Sequence, residues 1–138
     1  MDNVWLKKYI YSTLAGDAAL SALVGNRFYD DRAPLSTQYP FIIFQIQDAK
    51  DISAVGAYRL LVEYPVIIKA VDQVASYNAL GTIADRIEAL FHGTNGENEG
   101  IKVLFSKRER PFEMPEQDGE KQFRHLGGFY RFYIWEKR

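Results

Sequence analysis

The sequence predicts an α+β fold, an antiparallel β-sheet with helices packed mainly on one face. Two observations lead there. Apolar and aromatic residues alternate with period two in four stretches, at 40–47, 59–71, 101–106 and 123–135, as half-buried strands require. Elsewhere apolar residues return at helical spacing, and the order becomes helix–helix–strand–strand–helix–strand–strand. Strands that follow one another without regular βα alternation belong to the α+β class. No linker or repeat divides the chain, so residues 1–138 are read as one domain. A domain of that length can bury roughly two-thirds of its unfolded surface and needs no staple.

Composition narrows the function. There is no cysteine, which excludes disulfides, thiolate chemistry and Cys-based zinc sites. Seventeen basic against eighteen acidic residues leave a net charge of −1, without the basic excess of a nucleic-acid binder. Residues 1–8 lack the pattern of a signal peptide, and no apolar run is long enough to span a membrane. A soluble protein made in the cytoplasm is expected, with no nucleic acid as specific ligand and no membrane partner. Nine Tyr, nine Phe and two Trp are many for so short a chain, so the placement of aromatics is the feature to follow.

Taken in order, residues 3–14 read as a helix from the pairs Trp5/Leu6, Tyr9/Ile10 and Thr13/Leu14. Gly16 breaks it, Asp17 reads as the N-cap of a second helix over Ala18–Val24, and Gly25 closes that helix. Arg27-Phe28-Tyr29 is a short extended piece, and residues 30–38 form a loop holding Pro34. Pro40 suits the first position of a strand, where its missing N–H does no harm. Alternation then sends Ile42, Phe44 and Ile46 to the core, and Phe41, Ile43, Gln45 and Gln47 to the opposite face.

Residues 48–57 are polar and read as a loop with Gly56. In the strand 59–71, Leu60, Val62, Tyr64, Val66, Ile68 and Ala70 form the core face; Arg59, Leu61, Glu63, Pro65, Ile67 and Lys69 form the other. Pro65 in mid-strand predicts a bulge or a sheet edge. Asp72 or Ser76 caps a helix to Phe91, whose stripe is Leu80, Ile83, Ile87 and Leu90, widened by Ala79 and Ala84. Residues 92–100 read as a glycine-rich turn and 101–106 as a strand. The charged run 107–122, with two prolines, reads as a long loop or extended arm; in the strand after it, Gly127-Gly128 marks a bulge or bend.

That last strand is anomalous. Tyr130, Phe132 and Ile134 point one way, and Phe129, Arg131, Tyr133 and Trp135 the other, so both faces are large and aromatic. A sheet with helices on one side should be polar on the other. Either the chain covers its own second face or a neighbouring subunit does.

Catalytic signals are weak. His92, at a helix end, suits a dipole partner, and His125 lies beside the glycine pair; neither has metal-ligand spacing. Gly93, Gly96 and Gly100 precede a strand and lack the lysine of a phosphate loop. Lys107-Arg108-Glu109-Arg110 reads as a solvated strand end, and the pairs Asp30/Asp31 and Asp48/Asp51 read as lying in loops with no low-dielectric setting for acid–base work. No catalytic, cofactor or metal residue is assigned.

The run 20–29 (LSALVGNRFY), then Pro34, then Tyr39-Pro40-Phe41-Ile42-Ile43-Phe44, resembles the tail-completion or tail-terminator proteins of tailed bacteriophages and prophages. The later likeness is looser: a long strand, the helix ending at 83–90, and Phe129-Tyr130-Arg131-Phe132. The resemblance implies a structural protein and not an enzyme. Relatives form a ring, usually hexameric, that caps the tail tube, stops its polymerisation and presents a surface to the head connector. It implies as partners further copies of this chain, the tail-tube protein and the head-completion or connector protein. The place is the tail–head junction of a virion assembled in the host cytoplasm. On this reading Phe129, Arg131, Tyr133 and Trp135 lie at a subunit interface, Arg131 meeting an acid of the neighbour. Asp48, Lys50, Asp51, Arg108, Arg110, Glu116 and Asp118 lie on loops that reach to a neighbour or the tube. The competing readings are a monomeric α+β adaptor or ligand-binding domain with an aromatic-lined pocket, and a hydrolase using His92 or His125.

Overall fold

A computed structural model describes residues 2–53, 59–74 and 76–137. It contains three helices and seven strands in the order α1 (Asp2–Ala15), α2 (Ala18–Val24), β1 (Phe28–Asp30), β2 (Phe41–Ile46), β3 (Lys50–Ser53), β4 (Arg59–Asp72), α3 (Asn78–Phe91), β5 (Thr94–Glu97), β6 (Ile101–Asp118) and β7 (Lys121–Glu136). The strands form one sheet ordered β1-β2-β4-β7-β6-β5, with β3 also paired to β4. Its α+β class is the one the element order predicts. All neighbours are antiparallel except β1 and β2, which run parallel. The loop 31–40 carries the chain back along the sheet edge, which makes the sheet mixed.

The helices cover one face, called inner below. α1 contributes Leu6, Tyr9, Ile10 and Leu14, and α3 contributes Leu80, Ile83, Ile87 and Phe91; they meet Ile42, Phe44, Val62, Val66, Ile68, Tyr130, Phe132 and Ile134 from the strands. Fully burying each such side chain is worth about 1.5–3 kcal/mol. Asp17 joins the helices to one another. Its Oδ2 accepts from the Leu20 N–H at 3.1 Å as the N-cap of α2, and both its oxygens accept from Arg86 of α3, at 2.8 and 2.6 Å. Arg86 holds the Asp17 carboxyl below its ordinary pKa, first through that hydrogen bond.

Several expectations are corrected. The helix expected from Asp72 or Ser76 starts at Asn78, with Tyr77 at its cap and no side-chain cap bond. Phe91 takes the last buried place on α3, leaving Leu90 half-buried and Ala79 exposed. Leu60 is 53% exposed, because β7 last pairs with β4 at Val62↔Ile134 and Leu60 lies beyond that pair. The polar stretch 48–57 contains β3, and its residues 54–57 lie outside the described residues. The glycine-rich turn contains β5. Gly100 lies against Trp5 of α1, where a Cβ would come within 2.1 Å of the indole, so close helix–turn approach and not phosphate explains it. Asn98 fastens this turn: its amide donates to the Trp5 carbonyl, and its Oδ1 accepts from Gly100 and Ile101.

Pro65 causes neither bulge nor edge. It pairs with Arg131 in an unbroken β4–β7 ladder, and its carbonyl accepts from the Gln47 N–H at 2.8 Å. A strand residue's N–H and C=O point the same way, so the missing donor faces the seam where β2 ends and β3 begins. Gly127-Gly128 is no bulge either. A Cβ on Gly127 would lie 2.1 Å from the Ile68 carbonyl oxygen, so glycine there lets β7 approach β4. In the β6–β7 ladder the bulges are in β6, between Val103 and Phe105 and between Arg108 and Arg110, and a further register shift lies between β3 and β4, where Leu60 is skipped.

The largest correction concerns residues 107–122. They are not a loop: β6 continues to Asp118 and, past the bulge at Glu109, pairs residue for residue with β7 from Arg110↔Phe129 to Asp118↔Lys121. Charged sequence holds strand form here because a complete backbone ladder needs no core. Pro111 and Pro115 sit opposite Gly128 and Arg124 in it.

Candidate functional site

The second face of the sheet, here called outer, divides into three zones. Its middle is a row of alternating cations and rings. Arg131 on β7 donates through Nη1 to Glu63 on β4 at 3.3 Å and through Nε to Glu109 on β6. These two carboxylates, the Glu109 hydrogen bond foremost, raise the Arg131 pKa further. The Arg110 guanidinium lies 3.8 Å from the Phe129 ring centroid; Phe112 meets Phe129 edge-on at 5.5 Å; and the Lys69 ammonium stands 5.1 Å from Phe112. Contacts of this geometry are worth about 0.5–1 kcal/mol when exposed. Burial lowers the Lys69 pKa.

Towards the hairpin tip lies a small second core of Phe41, Ile43 and Val71, packed by Tyr29 and Ala33. Tyr39 stacks between Phe41 and Phe123 at 5.3 and 5.7 Å, and a cleft of about 350 Å³ opens beside them. His125 lines the cleft and is 7% exposed. Its Nε2 meets Glu116 Oε1 at 2.8 Å; a carboxylate only accepts, so Nε2 carries the proton. Burial lowers the His125 pKa, Glu116 opposing and Lys69 assisting. The ring is therefore neutral at pH 7, and Nδ1 is a buried lone pair with no partner among the described residues.

At the far end the face is bare. Trp135 is 45% and Phe105 43% exposed, Tyr133 tilts against Phe105 at 6.4 Å, and Lys102 pairs across from Trp135. Among the described residues no group of His, Asp and Glu has the arrangement of a metal site, and no helix is long and apolar enough to cross a membrane.

A sheet so finished, with inner aromatics packed by helices and outer aromatics left half-bare, suits a chain that meets other chains. The family model described as tail completion protein gp17 matches residues 8–126. The chain belongs to the tail completion protein family. A structural role in the tail follows from that membership. The fold is also that of a chain in a solved structure titled "Virion of native gene transfer agent (GTA) particle". The TM-score is 0.72 at 19% identity, over 93% of this chain and 92% of that one. No curated protein matches the chain.

On this tail completion fold, the residues singled out from sequence do not form one cluster. Phe129, Arg131, Tyr133 and Trp135 do share the outer face, Phe129 and Tyr133 half-buried and Trp135 exposed. Arg131, for which an acid on a neighbour was expected, has two carboxylates in its own chain. Asp48 is exposed, and Lys50 and Asp51 stand on β3 beside Glu63 and Val62. Glu116 and Asp118 lie at the other end of the sheet, near the hairpin tip. The bulge at Glu109 splits the basic pair: Arg110 faces out onto Phe129, whereas Arg108 faces in and binds Glu88 of α3 at 3.2 Å.

His92 is not simply a dipole partner. Its Nδ1 accepts the Arg108 N–H at 3.0 Å, next to the bulge. Sequence reasoning placed Glu63 and Lys69 on this face but missed Glu109, Phe105 and Phe112 as parts of it. One signal was present, Phe112 and Met114 two residues apart inside the charged run, the spacing of a strand face.

Proposed function

We propose that this tail completion protein is a self-assembling ring subunit, usually six to a ring in the family as we read it. The ring caps the tail tube, ends tail polymerisation and offers the surface for head joining. Its partners are further copies of the chain, the tail-tube protein and the head-completion or connector protein. Its place is the virion at the tail–head junction, after assembly in the host cytoplasm. On this reading residues 1–138 act as one non-enzymatic domain.

One observation carries the reading: the exposed apolar end of the outer face, Trp135 and Phe105 with Tyr133 beside them. Contiguous exposed aromatics on a folded chain mark interaction surfaces. A head-to-tail ring repeats one contact at every boundary, so a patch of this size is used many times over. The row formed by Arg131, Glu63 and Glu109 then sets the geometry of the boundary from within each subunit.

The test is light scattering of the protein across a concentration series, together with electron microscopy of tails made with Trp135→Lys. A discrete ring for the natural sequence is expected, and a folded monomer with overlong, headless tails for the variant. A monomer at every concentration in the presence of tube protein, or normal tails from the variant, would overturn the reading.

A further inference from the structure

We infer that the apolar end of the outer face, Trp135 with Phe105 and Leu104, seats in a groove at the opposite corner of the sheet on a second copy of this chain. The groove lies between α1 and the loop 31–40, along β1, the last strand on that side of the sheet. Phe28 and Phe44 form its floor, Tyr11 stands edge-on to Phe28 at 6.1 Å, and Pro34 and Leu35 form the far lip. Tyr11 and Leu35 are exposed, as are Leu104, Phe105 and Trp135 at the other corner. The groove has a volume of about 710 Å³. Sites of roughly 300–1,000 Å³ hold drug-sized ligands, so an indole and a phenyl ring can enter together.

Geometry selects the occupant. Phe28 is in register with Ile42, Ala70 and Leu126, and Trp135 lies nine residues beyond Leu126 on β7. Groove and patch are therefore about 30 Å apart along the strands and about 14 Å apart across them. They also open on different sides, the groove beside the helices and the patch on the outer face. One chain cannot close its own patch onto its own groove. A second copy can, and each copy then gives one patch and receives one, which is the heterologous contact that a ring repeats. Patch against patch would be isologous and would stop at two copies. Charge does not oppose the match. Asp30 beside the groove pairs with Lys7 at 2.9 Å, and Glu97 near the patch pairs with Lys137 at 2.6 Å. The inference rests on the head-to-tail reading proposed above and supplies the second surface that such a contact requires.

The experiment is a complementation between two single variants of the full chain, read by sedimentation velocity with and without tube protein. Leu35→Lys spoils the groove and Trp135→Lys spoils the patch; both positions are exposed, so both variants keep the fold. The natural chain should form rings, and each variant alone should stay monomeric. Their equimolar mixture should give a one-to-one pair and nothing larger, because one intact patch meets one intact groove and the two lysine-bearing ends repel. That pair should persist in about 1 M sodium chloride, where exposed charges are screened. Rings from Leu35→Lys would overturn the inference and leave the ring reading standing; if those rings no longer held tube protein, the groove would belong to the tube. Dimers of Leu35→Lys alone would overturn it in favour of patch on patch. A mixture that stays monomeric, or a pair that salt dissolves, would overturn it as well. A natural chain that stays monomeric throughout would remove the ring reading and the inference together.

Discussion

The two faces of β7 carry side chains of the same kind and meet opposite fates. Tyr130, Phe132 and Ile134 are buried under α3, with Phe91 edge-on to Tyr130 and Phe132 at 6.1 and 5.7 Å. Phe129, Tyr133 and Trp135, one residue out of step, stay half-buried or exposed. Aromatic content therefore says little about burial; what lies across from each residue decides it. Across the inner face lies a helix with an apolar stripe. Across much of the outer face, among the described residues, no further element of the chain lies, and side-chain cations and carboxylates take up the space.

The contrast can be broken at five points, from the largest expected effect on stability to the smallest. Phe132→Ala should destabilise by about 3–5 kcal/mol, because the helix-covered side cannot collapse onto the cavity. Denaturant unfolding measures it, and a loss under about 1 kcal/mol would show that α3 does not hold the strand. Arg131→Met should cost less, about 1–3 kcal/mol, by leaving Glu63 half-covered and without its cation. The paired variant with Glu63→Gln should recover part of that loss in a double-mutant cycle.

Asp17→Ala removes the α2 cap and should cost about 1 kcal/mol, seen as a lower Tm. Because its folded pKa is lowered, the Asp17 contribution is present above its unfolded pKa and fades as pH falls through the acid range. His125 acts at higher pH. Its folded pKa is lowered, so the unfolded chain takes up protons first, and stability should decline as pH drops through about 6.5. His125→Phe should flatten that slope in unfolding measured between pH 7.5 and 5. Trp135→Lys should move stability by under about 0.5 kcal/mol, since the ring is already wet. An effect as large as that of Phe132→Ala would erase the distinction between the faces.

Much of this was legible in the sequence, and the failures have physical causes. Period-two alternation located β2, β4 and β7 and placed Ile42, Phe44, Phe132 and Ile134 on the core side, because apolar burial is written in the side chains. The cap at Asp17 and the stop at Gly25, where φ is 65°, were legible for the same local reason. The strands β3 and β5 and the outer half of β6 were not. Their backbone ladders hold them, and a ladder leaves no mark on polar side chains. The parallel pairing of β1 depends on where a loop returns the chain, which no local pattern encodes. In the outer face, the aromatic excess on β7 was visible, but its partners come from strands up to 68 residues away, as with Arg131 and Glu63.

One feature of β6 has a bearing on how copies can meet. From Lys107 onward no strand lies along its outer side among the described residues. Ser106 presents its carbonyl outward to Gly93, and the Glu109 bulge sets the later rhythm so that residues 111, 113, 115 and 117 present their backbones outward. Two of those four are proline. The edge thus offers carbonyls at every step but amide donors at only Glu113 and Gln117, a comb with alternate teeth removed. A second chain laid along it would leave every other rung unmade, so open-ended zipping of sheet to sheet is discouraged. In the assembly proposed above, copies of the chain would therefore meet through side-chain contacts rather than through this edge.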